Sequence, residues 1–361
     1  MSQRIKSVDL LRGITIAAMI LVNTPGNWGS VYAPLLHAEW HGLTPTDLVF
    51  PFFLFIVGIS IFFAYKNKPN SIFTYKKVLI RSLKLVGLGL FLNLFLPYFP
   101  FFNDFETLRL PGVLQRIGIV FFISSILYLN CNWKVLFGIG ASVLIGYWLV
   151  LGFLPFSNGT LPTFDRAPNN WSNFIDSYLL GNHMWKADYD PEGLFSTLPS
   201  IVTCISGILI GKLLNDFRSV QKLLFTGITL LIFGYLFNIW FPINKAIWSS
   251  SFVLATSGWA TVILAIIYYL KDIKNIEFGN LFKYMGMNAI TIYFLSSFIS
   301  KIMYLTKIGE DSNLHSYIYN AIFVQSFFTA NLSSLLYGLT VVLFYLGLGY
   351  VMFKKKIFIK V

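Results

Sequence analysis

Two of the four histidines in this sequence fall in one short polar stretch, between Asn23 and Asp47. It reads Asn23-Thr24-Pro25-Gly26-Asn27-Trp28, then His37-Ala38-Glu39-Trp40-His41-Gly42-Leu43-Thr44-Pro45-Thr46-Asp47. A histidine exchanges a proton near neutral pH, because its free pKa is about 6.5. Glu39 or Asp47 can orient such a ring or raise its basicity. Asn23 closes the apolar run before this stretch, and its amide can donate to an oxyanion developing on a carbonyl. The pattern suits a general base set beside a hydrogen-bond donor. It also suits a plain interfacial loop anchored by Trp28 and Trp40.

Three further clusters carry polar groups into apolar surroundings. The first runs Arg4-Ile5-Lys6-Ser7-Val8-Asp9-Leu10-Leu11-Arg12. Ser7 can cap a helix there, with Asp9 in its first turn. Arg4 and Lys6 read as flanking charge, whereas Arg12 enters the apolar run and can hold an anion such as a phosphate. The second, Arg109-Leu110-Pro111-Gly112-Val113-Leu114-Gln115-Arg116, puts Gln115 and Arg116 about one turn inside a helix. Arg116 either serves a ligand or pairs with an acid from another helix, Asp47 being a candidate. The third, Tyr189-Asp190-Pro191-Glu192-Gly193, opens a later helix. Asp190 fits a cap with proline at the first helical position, and Glu192 is left to meet a polar substrate. His183 and His315 read as loop residues. No Cys/His spacing points to a metal, and Cys131 and Cys204 are not expected to pair.

The elements that position these residues follow from composition. The chain is 56% apolar and only 12% charged, against about 25% charged in a soluble domain. Lipid must be its main solvent. Crossing the hydrocarbon core takes roughly 20 apolar residues. Spans are expected at 8–24, 47–65, 77–97, 111–129, 133–154, 195–214, 221–240, 247–270, 281–303 and 333–353. The fold expected is an all-α polytopic transmembrane helix bundle of about ten spans, one domain over 1–361. The segment 316–330 is apolar but short, and its crossing is left open. The first run lacks a small-x-small cleavage site, so no cleaved signal peptide is expected. Most of the 27 lysines and arginines fall on one side of these spans, and only Arg109, Arg116, Arg166, Lys186, Lys245, Lys301 and Lys307 on the other. The basic side is therefore read as cytoplasmic, with both termini there. Lys and Arg sit in short loops rather than on one face, so the net charge of +12 does not point to nucleic acid.

The motifs, taken in order, resemble a known family. Ser7-Val8-Asp9-x-x-Arg12-Gly13 and His37-Ala38-x-Trp40-x-Gly42-Leu43-Thr44-x-x-Asp47-Leu48-Val49-Phe50-Pro51 resemble the catalytic membrane region of heparan-α-glucosaminide N-acetyltransferase and its bacterial relatives. Pro111-Gly112-Val113-Leu114-Gln115-Arg116, Asp190-Pro191-Glu192-Gly193 and Gly286-Met287-Asn288 continue the match. The resemblance implies an acetyltransferase that takes acetyl-CoA from the cytoplasm and acetylates an amino-sugar amine on the opposite side. It puts the catalytic histidine at His37 and the helix-end asparagine at Asn23, and it demotes His41. It implies Arg12, Lys6, Gln115, Arg116 and Asn288 toward acetyl-CoA, Trp40, Asp47, Asp190 and Glu192 toward the acceptor, and no metal. The lysosomal enzyme carries a large lumenal domain before this region, and this chain starts almost at its first helix. A glucosamine-containing glycan outside a bacterial inner membrane is then a more natural acceptor than heparan sulfate. A homodimer is an assembly this reading admits.

Two rivals belong beside it. A transporter or flippase would call for broken helices near midplane and symmetrical halves, and the sequence offers neither. A polysaccharide O-acetyltransferase would use the same donor on a hydroxyl.

Overall fold

The computed structural model describes residues 5–310 and 312–359; Arg4 and Lys360, which entered the charge sorting, lie outside the described residues. The chain is all-α. Its longer helices are α1 (Lys6–Asn23), α2 (Val49–Tyr65), α3 (Ile72–Leu94), α4 (Val113–Asn130) and α5 (Trp133–Phe153). After the short α6 (Trp171–Leu180) come α7 (Thr197–Phe217), α8 (Val220–Phe237) and α9 (Ser250–Tyr268). Then follow α10 (Asn280–Gly286), α11 (Ala289–Leu305), α12 (Leu314–Ile318) and α13 (Ala330–Lys354). Strand pairing among the described residues is a two-residue ribbon, Lys307–Ile308 with Ser312–Asn313, plus one bridge between Phe95 and Phe102.

Among the described residues, seven helices are long and apolar enough to cross a membrane: α2 with its preceding turn, α4, α5, α7, α8, α9 with its extension to Ile273, and α13. α1 and α3 are 18 and 23 residues long, but both carry charge within the helix. Lys6, Asp9 and Arg12 lie in α1, and Lys76, Lys77, Arg81 and Lys84 lie in α3. The expected straight span over 281–303 is corrected. α10 and α11 meet at a bend of 86°, because Met287 and Asn288 leave the helix between them. A broken helix therefore exists where the sequence offered none. The segment 316–330 holds no crossing helix: α12 ends at Ile318 and a π-turn over Tyr319–Phe323 gives way to irregular chain before α13.

Two caps differ from expectation. Ser7 does not cap α1. The carboxylate of Asp272, from the end of the α9 extension, accepts Lys6 N and Ser7 N at 2.9 Å each. Asp190 does not cap α7, which starts only at Thr197. Elsewhere side chains cap as types predict: Ser71, Asn132, Ser219, Ser249 and Thr329 each accept a first-turn amide.

α2 and α7 cross at the centre of the bundle, and glycine permits it. A Cβ at Gly58 would stand 1.9 Å from Cys204 O, and one at Gly207 would stand 1.9 Å from Phe55 O. Neither neighbour can yield, since both atoms are backbone. Overpacking a fitted core costs about 1–3 kcal/mol, so Gly207→Val should lower the thermal midpoint of the detergent-solubilised protein by several degrees. An unchanged midpoint would mean that the crossing is looser than these distances. Cys204, buried on α7, and Cys131 are both free thiols.

Candidate active site

The polar stretch between α1 and α2 folds over one end of the bundle and walls a cavity of about 360 Å³. Asn23 at the end of α1 lines it, as do His37, Glu39, Trp40, Asp47, Arg109, Trp185, Tyr189, Glu192 and Lys245. His37 and Asp47 form its chemical centre. Asp47 Oδ1 stands 2.7 Å from His37 Nδ1. Its Oδ2 accepts Ala38 N at 3.1 Å, Thr44 N at 3.0 Å and Thr44 Oγ1 at 3.0 Å. Asp47 is only 1% exposed. Expected to meet substrate, it is instead spent on holding the ring and its own loop. The His37 side chain stays 46% exposed, with Nε2 turned from the carboxylate.

The other residues expected near the acceptor divide. Trp40 lines the cavity, donates from Nε1 to Phe164 O at 2.9 Å and meets Tyr189 edge-on. Glu192 and Asp190 are tied to Arg109. Arg109 Nε donates to Asp190 Oδ2 at 2.8 Å, and Nη2 reaches Asp190 Oδ1 and Glu192 Oε2 at 2.6 Å each. Burial alone would lower the Arg109 pKa, but these two carboxylates raise it above its ordinary value. Asp190 is buried and also accepts Trp185 N and Glu192 N at 2.8 Å each. It anchors this wall and does not itself line the cavity. His41 turns away and meets Asp165 at 2.9 Å on the surface.

A second cavity, of about 510 Å³, opens at the other end of the same helices. Arg12, Ser60, Lys77, Arg81, Lys84 and Asn288 line it. Arg12 donates to Ser60 Oγ at 2.7 Å and Asp9 Oδ1 at 3.0 Å. Asn288 sits at the break between α10 and α11. Its amide binds the chain end, donating to Ile357 O and accepting Ile359 N at 3.0 Å each. The two cavities nearly meet. Phe50 lines the first and Phe53 the second, three residues on, a rise of about 4.5 Å. Val113 and Ile117 stand in the same relation on α4, about 6 Å apart along the axis.

Three residues expected toward acetyl-CoA are not in that basic cavity. Lys6 lines a separate one, with Lys66, Arg218 and Asp272. Gln115 is buried and donates to Leu110 O at 3.2 Å, fixing the entry to α4. Arg116 is 1% exposed and gives Nη2 to Gly193 O at 2.8 Å and to Ser196 Oγ. Its guanidinium lies 5.1 Å from the Trp248 ring. It pairs with neither Asp47 nor another acid within salt-bridge distance among the described residues, and it braces the loop before α7.

Sequence reasoning missed Lys245, Arg109 as the partner of both acids, and the α3 cations. Lys245 Nζ lies 3.0 Å from each ring nitrogen of His37. Its one advance signal was being a cation on the sparsely basic side. No group of three or more His, Cys, Asp or Glu side chains among the described residues is placed to hold a metal.

Residues 4–233 match a family model described as heparan-alpha-glucosaminide N-acetyltransferase, catalytic. The chain belongs to that family. It is 30% identical over 355 aligned positions to the heparan-alpha-glucosaminide N-acetyltransferase of Homo sapiens, covering 80% of this chain and 52% of the human protein. The mouse protein of the same name is 30% identical over 352 positions, covering 81% and 53%. The chain thus spans about half the length of the curated relatives it matches. Within this N-acetyltransferase family match lie Arg12, Asn23, His37, Asp47, Arg109 and Glu192, and Lys245 and Asn288 fall beyond it.

Proposed function

We propose that this protein is a transmembrane acetyltransferase, carrying acetyl from cytoplasmic acetyl-CoA to the amine of a glucosamine-type sugar on the opposite side. The observation that carries this reading is the placement of the His37–Asp47 pair in one cavity, backed within about one helical turn by a second cavity walled with Arg12, Lys77, Arg81 and Lys84. The name of the family's relatives supports the amino-sugar acceptor. The charge bias puts the basic end, and both termini, in the cytoplasm. A bacterial inner membrane suits a glycan acceptor outside.

The chemistry follows from the pair. With Nδ1–H donating to Asp47, the free lone pair of His37 is on Nε2. Nε2 takes the proton from the acceptor's amine as the nitrogen attacks the thioester carbonyl. Asn23 supplies an amide donor for the oxyanion. The C–S bond then breaks, and the thiolate leaves with the proton from His37. Direct transfer is favoured over an acetyl-histidine intermediate, since His37 alone can then take the amine proton and return it to the leaving thiolate. Trp40 offers an apolar face to the sugar ring. The basic cavity takes the CoA phosphates by charge-assisted bonds. Each such bond contributes about 1.5–3 kcal/mol, so Arg81→Gln with Lys84→Gln should raise KM for acetyl-CoA at least about tenfold. kcat should change little. An unchanged KM would remove the phosphates from this cavity.

The deciding experiment is acetyl-CoA-dependent acetylation of glucosamine by the purified protein. Hydroxyl-bearing glycans in the same assay separate N- from O-transfer. The bend at Asn288 is a feature a transporter would share, but the Asn288 amide is occupied by residues 357–359. A transporter would show no thermal shift with acetyl-CoA.

A further inference from the structure

Lys245 comes from the loop between α8 and α9, and that loop is fastened to the one carrying His37. Gly42 N donates to Ile243 O at 2.8 Å. The buried Asn244 reaches His41 Nδ1 at 3.3 Å, and its Oδ1 accepts Ile247 N at 3.1 Å. The Lys245 side chain is 18% exposed, so its position is set by packing rather than by solvent. Nζ stands 3.0 Å from both His37 ring nitrogens. Equal distances to both nitrogens put Nζ over the ring rather than on a lone-pair axis. With Nδ1 held by Asp47 at 2.7 Å, Nε2 is the nitrogen whose lone pair is left within a short turn of Lys245. That is the atom an acceptor amine must reach to give up its proton.

The local charge does not fasten Lys245 as an ammonium. Among the described residues the one carboxylate within salt-bridge distance is Asp47, at 4.0 Å. Its oxygens are already engaged by His37, Ala38 and Thr44. Burial lowers the Lys245 pKa below the ordinary lysine value, against the pull of Asp47. A desolvated lysine near a base is a nucleophile. Its ε-amine is also a primary amine on an aliphatic carbon, the same nucleophile class as an amino sugar.

We propose that Lys245 occupies the seat of the acceptor amine beside His37 and is acetylated there when an acetyl thioester arrives with no acceptor present. The inference rests on the acetyl-transfer reading above. His37 Nε2 takes one N–H proton as Nζ attacks the thioester carbonyl. An N–C bond forms, the C–S bond breaks, and the thiolate leaves with that proton as free thiol. Any extra proton of the starting ammonium goes to water in the cavity. The product, an uncharged acetamide, stays in the acceptor seat. An amino sugar, when present, displaces the lysine and takes the acetyl group instead. Self-acetylation is then a block on turnover that a shortage of acceptor sets.

The test uses the full chain in nanodiscs, in a preparation first assayed for acetylation of glucosamine from acetyl-CoA. The protein is incubated with acetyl-CoA alone, and its peptides are read by mass spectrometry. The expected result is one acetyl group on Lys245 and none on the exposed Lys186. The label should be lost when glucosamine is included and in His37→Ala. Wild-type protein incubated this way should lose turnover in step with the label. A preparation that acetylates glucosamine while Lys245 stays unmodified overturns the inference and leaves the acetyl-transfer reading standing. Label spread equally over surface lysines also overturns it, as plain chemical acetylation. A preparation that acetylates neither overturns the acetyl-transfer reading, and the inference with it.

Discussion

His37→Ala should cut kcat for glucosamine acetylation by about 10²–10⁴-fold, the usual worth of a positioned general base. Acetyl-CoA binding, read by thermal shift, should survive, because the basic cavity lies at the other end of α1 and α2. Asp47→Asn should cost nearly as much. Its remaining oxygen would serve Ala38 and Thr44, and its new NH₂ would face His37 Nδ1. That reverses the tautomer and leaves the proton on Nε2, where the base is needed. Because the two residues act as one device, the double variant should be little worse than His37→Ala alone. Near wild-type turnover in His37→Ala would end the assignment. Losses that multiply in the double variant would show that Asp47 acts apart from His37.

What could be read in the sequence tracks how near in the chain the partners lie. His37 and Asp47 are ten residues apart in one loop, so a carboxylate partner for the ring was legible, although Glu39 was equally eligible and Asp47 was assigned to the acceptor. Lys245 is 208 residues from His37, and nothing local distinguishes it from a loop lysine. Arg109 and Asp190 each stood in a noted cluster, yet their union across 81 residues was not legible. Ser7 had the right type to cap α1, but Asp272 arrives from 266 residues away with two oxygens for two amides. Lys77, Arg81 and Lys84 were counted as flanking charge. The bias of basic residues toward one side is a one-dimensional signal and cannot separate a solvated flank from a cavity wall. The break at Met287–Asn288 was hidden because a span-length hydropathy window averages over Lys283, Gly286 and Asn288. Apolar periodicity fixes which segments enter lipid, and it is silent on where a helix turns within it.

The largest structural effect is expected at Arg109. Its guanidinium serves Asp190 and Glu192 with three bonds of 2.6–2.8 Å and lies 5.1 Å from the Trp185 ring. Arg109→Gln leaves the buried Asp190 with only two backbone amides. Removing one partner of a buried ion pair costs about 3–5 kcal/mol, because the other charge stays desolvated. Arg109→Lys should fall between, since an ammonium cannot reproduce the planar fork. Arg166 provides the comparison. It pairs with Asp188 at 2.8 Å, but both side chains are 47% exposed. Arg166→Gln should therefore cost no more than about 1 kcal/mol. Thermal midpoints of the three variants in one detergent decide the matter. If Arg109→Gln melts with Arg166→Gln, the wall of the His37 cavity is held by something other than this ion pair. If it melts well below, Asp190 and Glu192 owe their places to Arg109. The cavity facing His37 is then built by a charge network that the acceptor enters without having to break.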